Sequence, residues 1–177
     1  MNKPIYKGKI INLSLETVTL PNGAKMDLEI IAHSGASAVV PMKDEQTVVM
    51  IRQYRHAVRG FIYEIPAGKL HEGEDPRVCA IREVEEEIGY KVGTLEPLLS
   101  FFTTPGFTNE IIHMYLGKDL SPGKQDLGLD EVVEIVEMPI SQAIEMIRNG
   151  TIKDGKTIIG LQIVYLQNLA CFKPPFI

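Results

Sequence analysis

Glu83, Glu86 and Glu87 stand at i, i+3 and i+4 within the run Arg82-Glu83-Val84-Glu85-Glu86-Glu87-Ile88. On a helix turning by about 100° per residue, these carboxylates leave one side, with Glu83 and Glu87 nearest in direction. Like charges one turn apart repel and weaken a helix unless something positive lies between them. A hard divalent cation is the natural partner, because Mg2+ binds through a few carboxylates while keeping places for water and substrate phosphates. Mn2+ suits the same donors. Such a cation bridges phosphate oxygens, neutralises charge as a P–O bond breaks, and acidifies a bound water. Arg82 is placed to pair with Glu85 or Glu86 and hold the cluster's geometry.

The three acids belong to a longer spaced pattern. Residues 68–90, GKLHEGEDPRVCAIREVEEEIGY, fit G-x5-E-x7-R-E-U-x-E-E-x-G-U with U bulky and apolar. Gly68, Glu74, Arg82, Glu83, Val84, Glu86, Glu87, Gly89 and Tyr90 occupy the specified positions. In this the chain resembles the Nudix hydrolases, which split a diphosphate linked to a nucleoside. The resemblance implies an α/β/α sandwich with a mixed β-sheet. It also implies that the carbonyl of Ala67, the residue before the first glycine, ligates metal with Glu83 and Glu87, while Glu86 joins them or positions water.

The elements around the pattern are legible from local chemistry. Asp75-Pro76 offers an N-cap and a proline at the first helical position, and Gly89 supplies the stop. Within that helix Arg77, Ile81, Val84 and Ile88 fall on one side suited to burial, with Arg77 snorkelling from the first turn. The preceding loop, 68–75, carries Gly68 and Gly73, which let backbone approach a metal or phosphate. Stretches 5–20 and 25–33 flank Pro21-Asn22-Gly23, a hairpin signal. Strands are expected at 36–42, 47–53, 61–66, 93–102, 110–116 and 132–138, each bounded by turn residues. Ser141 is expected to cap a helix to about Arg148, ended by Asn149-Gly150, and 154–169 reads as a final helix. Strands separated by a few helices give a mixed sheet covered on both faces. Residues 1–35 form an antiparallel β element with little to bury, which must lean on the main domain, 36–177, or on a second subunit.

Whole-chain properties bound the partners. A length of 177 residues suits one domain with a sizeable core. A net charge of −5, with no basic stripe, argues against nucleic acid. An acidic protein that handles a polyanion needs metal and local arginines to offset its field. Cys79 and Cys171 give neither a disulfide framework nor a zinc spacing, and Cys79 reads as core filler. The first residues lack an apolar signal region and no stretch suits a membrane span, so the cytoplasm is the expected compartment. The four histidines, at 33, 56, 71 and 113, show no helical pairing and receive no ligand role.

The resemblance extends over nearly the whole chain. The order PNG, VVMIRQYRHAV, YEIPAGKLHEGE, FFTTPGFTNE is similar to that of bacterial ADP-ribose pyrophosphatases, and Pro105, sixteen residues past Gly89, matches a marker of that group. GDP-sugar hydrolases share much of it. By alternation Arg52 and Arg55 point to opposite faces of a strand. The resemblance selects Arg55 for the phosphate or ribose side of substrate. Glu64 is a candidate for substrate binding or for a structural hydrogen bond. Gly106 and Glu110 belong to a loop similar to the family's P-G-x-[ST]-x-E segment, where Glu110 touches the terminal ribose or a metal-bound water. The attacking water needs a proton acceptor; the resemblance implies a glutamate from the loop before the last strands, and Glu131 is preferred there over Asp130, Glu134 and Glu137.

Together these features predict Mg2+-dependent hydrolysis, with Mn2+ as the alternative ion, of ADP-ribose or a similar ADP-sugar to AMP and ribose 5-phosphate. The rivals are a GDP-sugar or dinucleotide pyrophosphatase and a non-catalytic ADP-ribose sensor. The resemblance also implies a homodimer in which the N-terminal hairpin completes the adenosine pocket. Tyr6 is the aromatic residue available there for stacking.

Overall fold

The computed structural model describes residues 2–129 and 131–169, so Asp130 and Cys171 lie outside it. The strand β4 (Ala36–Pro41) shows how the core is divided. It is apolar along nearly its whole length, as a strand buried on both faces must be. Ala38 and Val40 point into one cluster with Met50, Met114 and Leu161. Val39 points into the other, with Val49, Ile51, Val84 and Ile88.

β4 pairs in parallel with β9 (Ile111–Pro122) and antiparallel with β7 (Ala67–Lys69), while β9 pairs antiparallel with β8 (Tyr90–Phe102). The resulting order is β7-β4-β9-β8, a mixed sheet. A second sheet runs β10-β5-β6, from Val133–Pro139, Thr47–Arg55 and Gly60–Glu64. Helix α1 (Pro76–Ile88) covers the Val39 side, and α2 (Ile140–Arg148) with α3 (Gly155–Asn168) covers the Val40 side. This is the expected α/β/α sandwich. α3 approaches closely at Gly160, where a β-carbon would lie 2.7 Å from Val40 Cγ2.

Four local expectations need correction. The stretch 5–20 is two strands, β1 (Asn2–Lys7) and β2 (Asn12–Thr19), because the chain reverses at Gly8, whose N–H donates to Ile11 O at 2.9 Å. With β3 (Lys25–Ala32) they form an antiparallel sheet, β1-β2-β3. In α1 the buried residues are Cys79, Ala80, Val84, Glu87 and Ile88, whereas Ile81 is 38% exposed. Arg77 is held outside, its Nη1 donating to Leu95 O at 2.7 Å. Ser141 caps nothing: α2 begins at Ile140, straight out of β10, and the Ile140 N–H is taken by Gln46 O at 2.8 Å. Finally, the glycine-rich start of the motif loop is itself strand β7, at the sheet edge beside β4.

The N-terminal sheet leans on the main domain through a narrow seam. Ile31 N–H donates to Phe107 O at 2.8 Å, and His33 N–H donates to Asn109 Oδ1 at 2.8 Å. None of its described side chains is fully buried, and Ile5, Tyr6 and Met26 are exposed.

Candidate active site

Helix α1 is fixed at both ends. Asp75 accepts from the Arg77 N–H at 2.7 Å, Pro76 opens the helix, and Gly89 closes it at φ 68° with its N–H on Glu85 O. This turns Glu83 and Glu87 toward β7. Gly68 lies directly over Glu83: a β-carbon there would fall 1.9 Å from the carboxyl carbon. Next to it, the Ala67 N–H donates to Glu87 Oε2 at 3.0 Å. The first glycine of the pattern therefore brings loop backbone against the carboxylates.

Arg82 organises the remaining acids. Its Nε and Nη2 bind the two Glu74 oxygens, each at 3.0 Å, a bidentate grip. Its Nη1 donates to Glu83 Oε1 at 2.6 Å and Glu86 Oε2 at 2.9 Å. Of the two partners open in the sequence, Glu86 is the one used. Glu85 instead accepts from the Lys124 N–H. Hydrogen bonds from Arg82 hold the Glu74 carboxyl down to about 2, and the same bonds raise Arg82 further.

Glu87 is only 3% exposed, and no cation lies within ion-pair distance of it among the described residues. Burial, and then the charge of Glu83, push its carboxyl up to about 8. Burial also raises Glu83 despite Arg82. A buried carboxylate pair short of positive charge, with oxygen donors only, fits a hard divalent cation. Among the described residues no three His, Cys, Asp or Glu side chains already converge as ligands. Arg82 accounts for part of this, since it draws Glu83 and Glu86 toward itself. Backbone carbonyl, water and phosphate oxygens would have to supply the other positions.

The loop after β9 is strapped to the end of α1. Gly123 N–H donates to Gly89 O, Gln125 Nε2 to Glu87 O and Asp126 N–H to Glu86 O, at 2.8, 2.8 and 2.9 Å. Glu131 follows, its Oε2 accepting from the Gly128 N–H at 2.7 Å. Its charge contributes to raising both Glu83 and Glu87, which places it in their electrostatic neighbourhood.

Beside Ala67 and Gly68 opens a cavity of about 530 Å3, with Arg55, Lys156 and Glu110 in its wall. Arg55 Nε donates to Glu64 Oε2 at 2.7 Å, while Lys156 Nζ donates to Glu64 Oε1 at 2.5 Å and lies 3.1 Å from Asp154 Oδ2. Glu64 does not line the cavity; it is buried behind the two cations. Glu110 is steadied by Thr103 Oγ1, which donates to its Oε2 at 2.7 Å.

Other candidates lie elsewhere. Gly106 does not line the cavity. Arg52 points away, paired with Glu134 at 2.8 Å and stacked 4.3 Å from the Phe61 ring centre. Tyr6 is exposed on β1, outside the cavity wall. Cys79 is buried and its thiol is pushed up to about 11, chiefly by burial, as suits filler rather than a nucleophile.

Lys156 is the residue that sequence reasoning missed. Its signal was present: a cation in the first turn of a helix opposes the helix dipole. Such a locally unfavourable choice marks a position selected for something else.

A family model described as "NUDIX domain" matches residues 32–159. A methanol dehydrogenase activator from Bacillus methanolicus is 46% identical over 92% of this chain and 89% of its own length. An ADP-ribose pyrophosphatase from Bacillus subtilis (strain 168) is 41% identical over the same shares. A GDP-mannose pyrophosphatase from Cronobacter sakazakii is 33% identical over 96% of this chain and 98% of its own. The solved structure of an ADP compounds hydrolase superposes with a TM-score of 0.85, covering 96% of this chain and 92% of that one; at 17% identity this speaks for the fold alone. No described helix is long and apolar enough to cross a membrane. With a family model spanning most of the chain and relatives well above 30% identity over nearly its full length, the chain belongs to the Nudix hydrolase family.

Proposed function

We propose that this enzyme hydrolyses the pyrophosphate bond of ADP-ribose to AMP and ribose 5-phosphate, or that of a similar ADP-sugar to AMP and the corresponding sugar phosphate, using Mg2+ or Mn2+. The observation that carries the reading is the placing of Glu83 beneath Gly68 and of Glu87 beneath Ala67, the buried Glu87 having no ion-pair partner among the described residues, beside a cavity walled by Arg55 and Lys156. The 41% identity to an ADP-ribose pyrophosphatase favours adenosine over the guanosine substrate of the relative at 33%.

In this reading Glu83 and Glu87 hold the cation with the Ala67 carbonyl, and Glu86 joins them or orients water. When bound, the cation neutralises charge on the diphosphate and acidifies a water. Arg82 fixes Glu83 and Glu86, backed by Glu74. Arg55 and Lys156 bind diphosphate oxygens. Glu110 meets the terminal ribose, in a loop that Gly106 helps to turn. Glu131 accepts the proton of the attacking water once it leaves the Gly128 amide. A homodimer is supported by the exposed Ile5, Tyr6 and Met26 of the N-terminal sheet, which lack cover in one chain.

The test is a panel of ADP-ribose, ADP-glucose, GDP-mannose and dinucleotides with Mg2+ or Mn2+, scored for the nucleotide released. AMP from ADP-ribose as the preferred reaction supports the reading; cleavage of GDP-sugars alone overturns the adenine assignment. The relative at 46% identity favours a second activity, stimulation of a methanol dehydrogenase. Adding the protein to such a dehydrogenase and following its rate checks this directly.

A further inference from the structure

Glu64 is an ionisable residue at the edge of the site with no contact to the cavity. It sits at the end of β6, 3% exposed, and divides its two oxygens between cations from different elements. Oε2 takes Arg55 Nε from β5, and Oε1 takes Lys156 Nζ from the first turn of α3. Among the described residues no other side chain hydrogen-bonds or ion-pairs with both Arg55 and Lys156.

The manner of attachment matters. Arg55 is held through Nε, and among the described residues its two terminal nitrogens have no hydrogen-bond partner, leaving the planar fork open. Lys156 gives one N–H to Glu64 and faces Asp154 with another, so one of its three donors remains. Both residues line the cavity, as do Ala67 and Gly68. A flexible lysine and a flexible arginine each lose substantial side-chain entropy when a ligand orders them; a shared buried anchor orders them beforehand.

We propose that Glu64 is a positioning residue: it locks Arg55 and Lys156 into a two-cation jaw for the diphosphate of the substrate, without touching the substrate. This rests on the reading of the cavity as a nucleoside diphosphate site. It assigns Glu64 to substrate affinity and leaves the chemical step to the α1 carboxylates.

Glu64→Gln keeps shape and acceptor oxygen but removes the charge. With saturating divalent cation, KM for the nucleoside diphosphate substrate rises about tenfold while kcat changes by less than about twofold. Lys156→Met raises KM alone, and the double variant is no worse than the worse single one, because the two act as a unit. Unaltered KM in folded Glu64→Gln overturns the proposal, and so does strict additivity with Lys156→Met. If Glu64→Gln does not fold, Lys156→Met and Arg55→Met replace it, and additivity between them overturns the coupling. A separate arm measures ADP binding by calorimetry without divalent cation, independently of turnover. ADP bound about tenfold more weakly by Glu64→Gln supports the jaw even if no substrate is hydrolysed; equal ADP affinity sinks it, whatever the panel shows.

Discussion

Gly68 and Glu83 are so close that no side chain fits between them: a β-carbon on Gly68 would lie 1.9 Å from the Glu83 carboxyl carbon. Gly68→Ala must therefore push either β7 or the carboxylate aside. Displacement of about 1 Å in such a site costs about 100-fold in rate. We expect kcat to fall by that order with the fold retained, which circular dichroism and kinetics of the variant will check. Near-normal kcat would mean that Glu83 is not where the reaction needs it.

Glu87 predicts how stability depends on pH. Its folded carboxyl is raised from 4.5 to about 8, mainly by burial. Folding thus favours the protonated form, so without cations stability declines as pH climbs between those values and then levels off. Glu87→Gln should flatten that decline. Divalent cation should restore melting temperature at pH 8 in the wild type and much less in the variant. Calorimetric scans across pH, with chelator and then with Mg2+, measure both.

Glu74 gives the opposite sign. Arg82 holds its carboxyl down to about 2, below the usual 4.5. The stabilisation is complete above the ordinary value and disappears as pH falls toward 2. Glu74→Gln should abolish this share of acid sensitivity. It should also loosen Arg82, and with it Glu83 and Glu86, lowering kcat more than it raises KM. Acid titration followed by circular dichroism, paired with steady-state kinetics, separates the two effects.

Glu131 rests on the Gly128 amide at the end of a loop strapped to α1 through Gln125 and Asp126. As a general base it should be worth roughly 10²–10⁴ in kcat. Glu131→Gln is expected to lose that much while cation affinity stays within about twofold. The pH–rate profile should lose its acidic limb. An unchanged profile would move the role to another acid of the loop.

Much of this was legible in the sequence, for identifiable reasons. The α1 acids and their caps could be read because spacing on a helix is set locally: Asp75, Pro76 and Gly89 act on neighbours a few residues away. The alternation of strands with a few helices foretold a sheet covered on both faces, and the two core clusters lie on either side of β4. What was not legible depends on distant partners. Ile81 gave way to Ala80 and Glu87 because α1 turns Ala80 into the core beside Val39 and Val49 and Glu87 onto the Ala67 amide, so its burial does not follow apolar content alone. Ser141 lost its capping role when Gln46, far away in sequence, took the first amide of α2. Lys156 and Glu64 are separated by a long span of chain, so their ion pair could not be inferred from spacing. Gly8 split the first strand because its amide and Ile11 close a turn that alternation alone conceals.

The most direct test is a titration of Mg2+ against activity for Glu83→Gln, Glu87→Gln and the wild type, using ADP-ribose. Loss of roughly 10²–10³ in kcat for each variant, with the half-saturating Mg2+ concentration raised about 10–100-fold, is the predicted result. Wild-type turnover and cation dependence in both folded variants would contradict the account at its root.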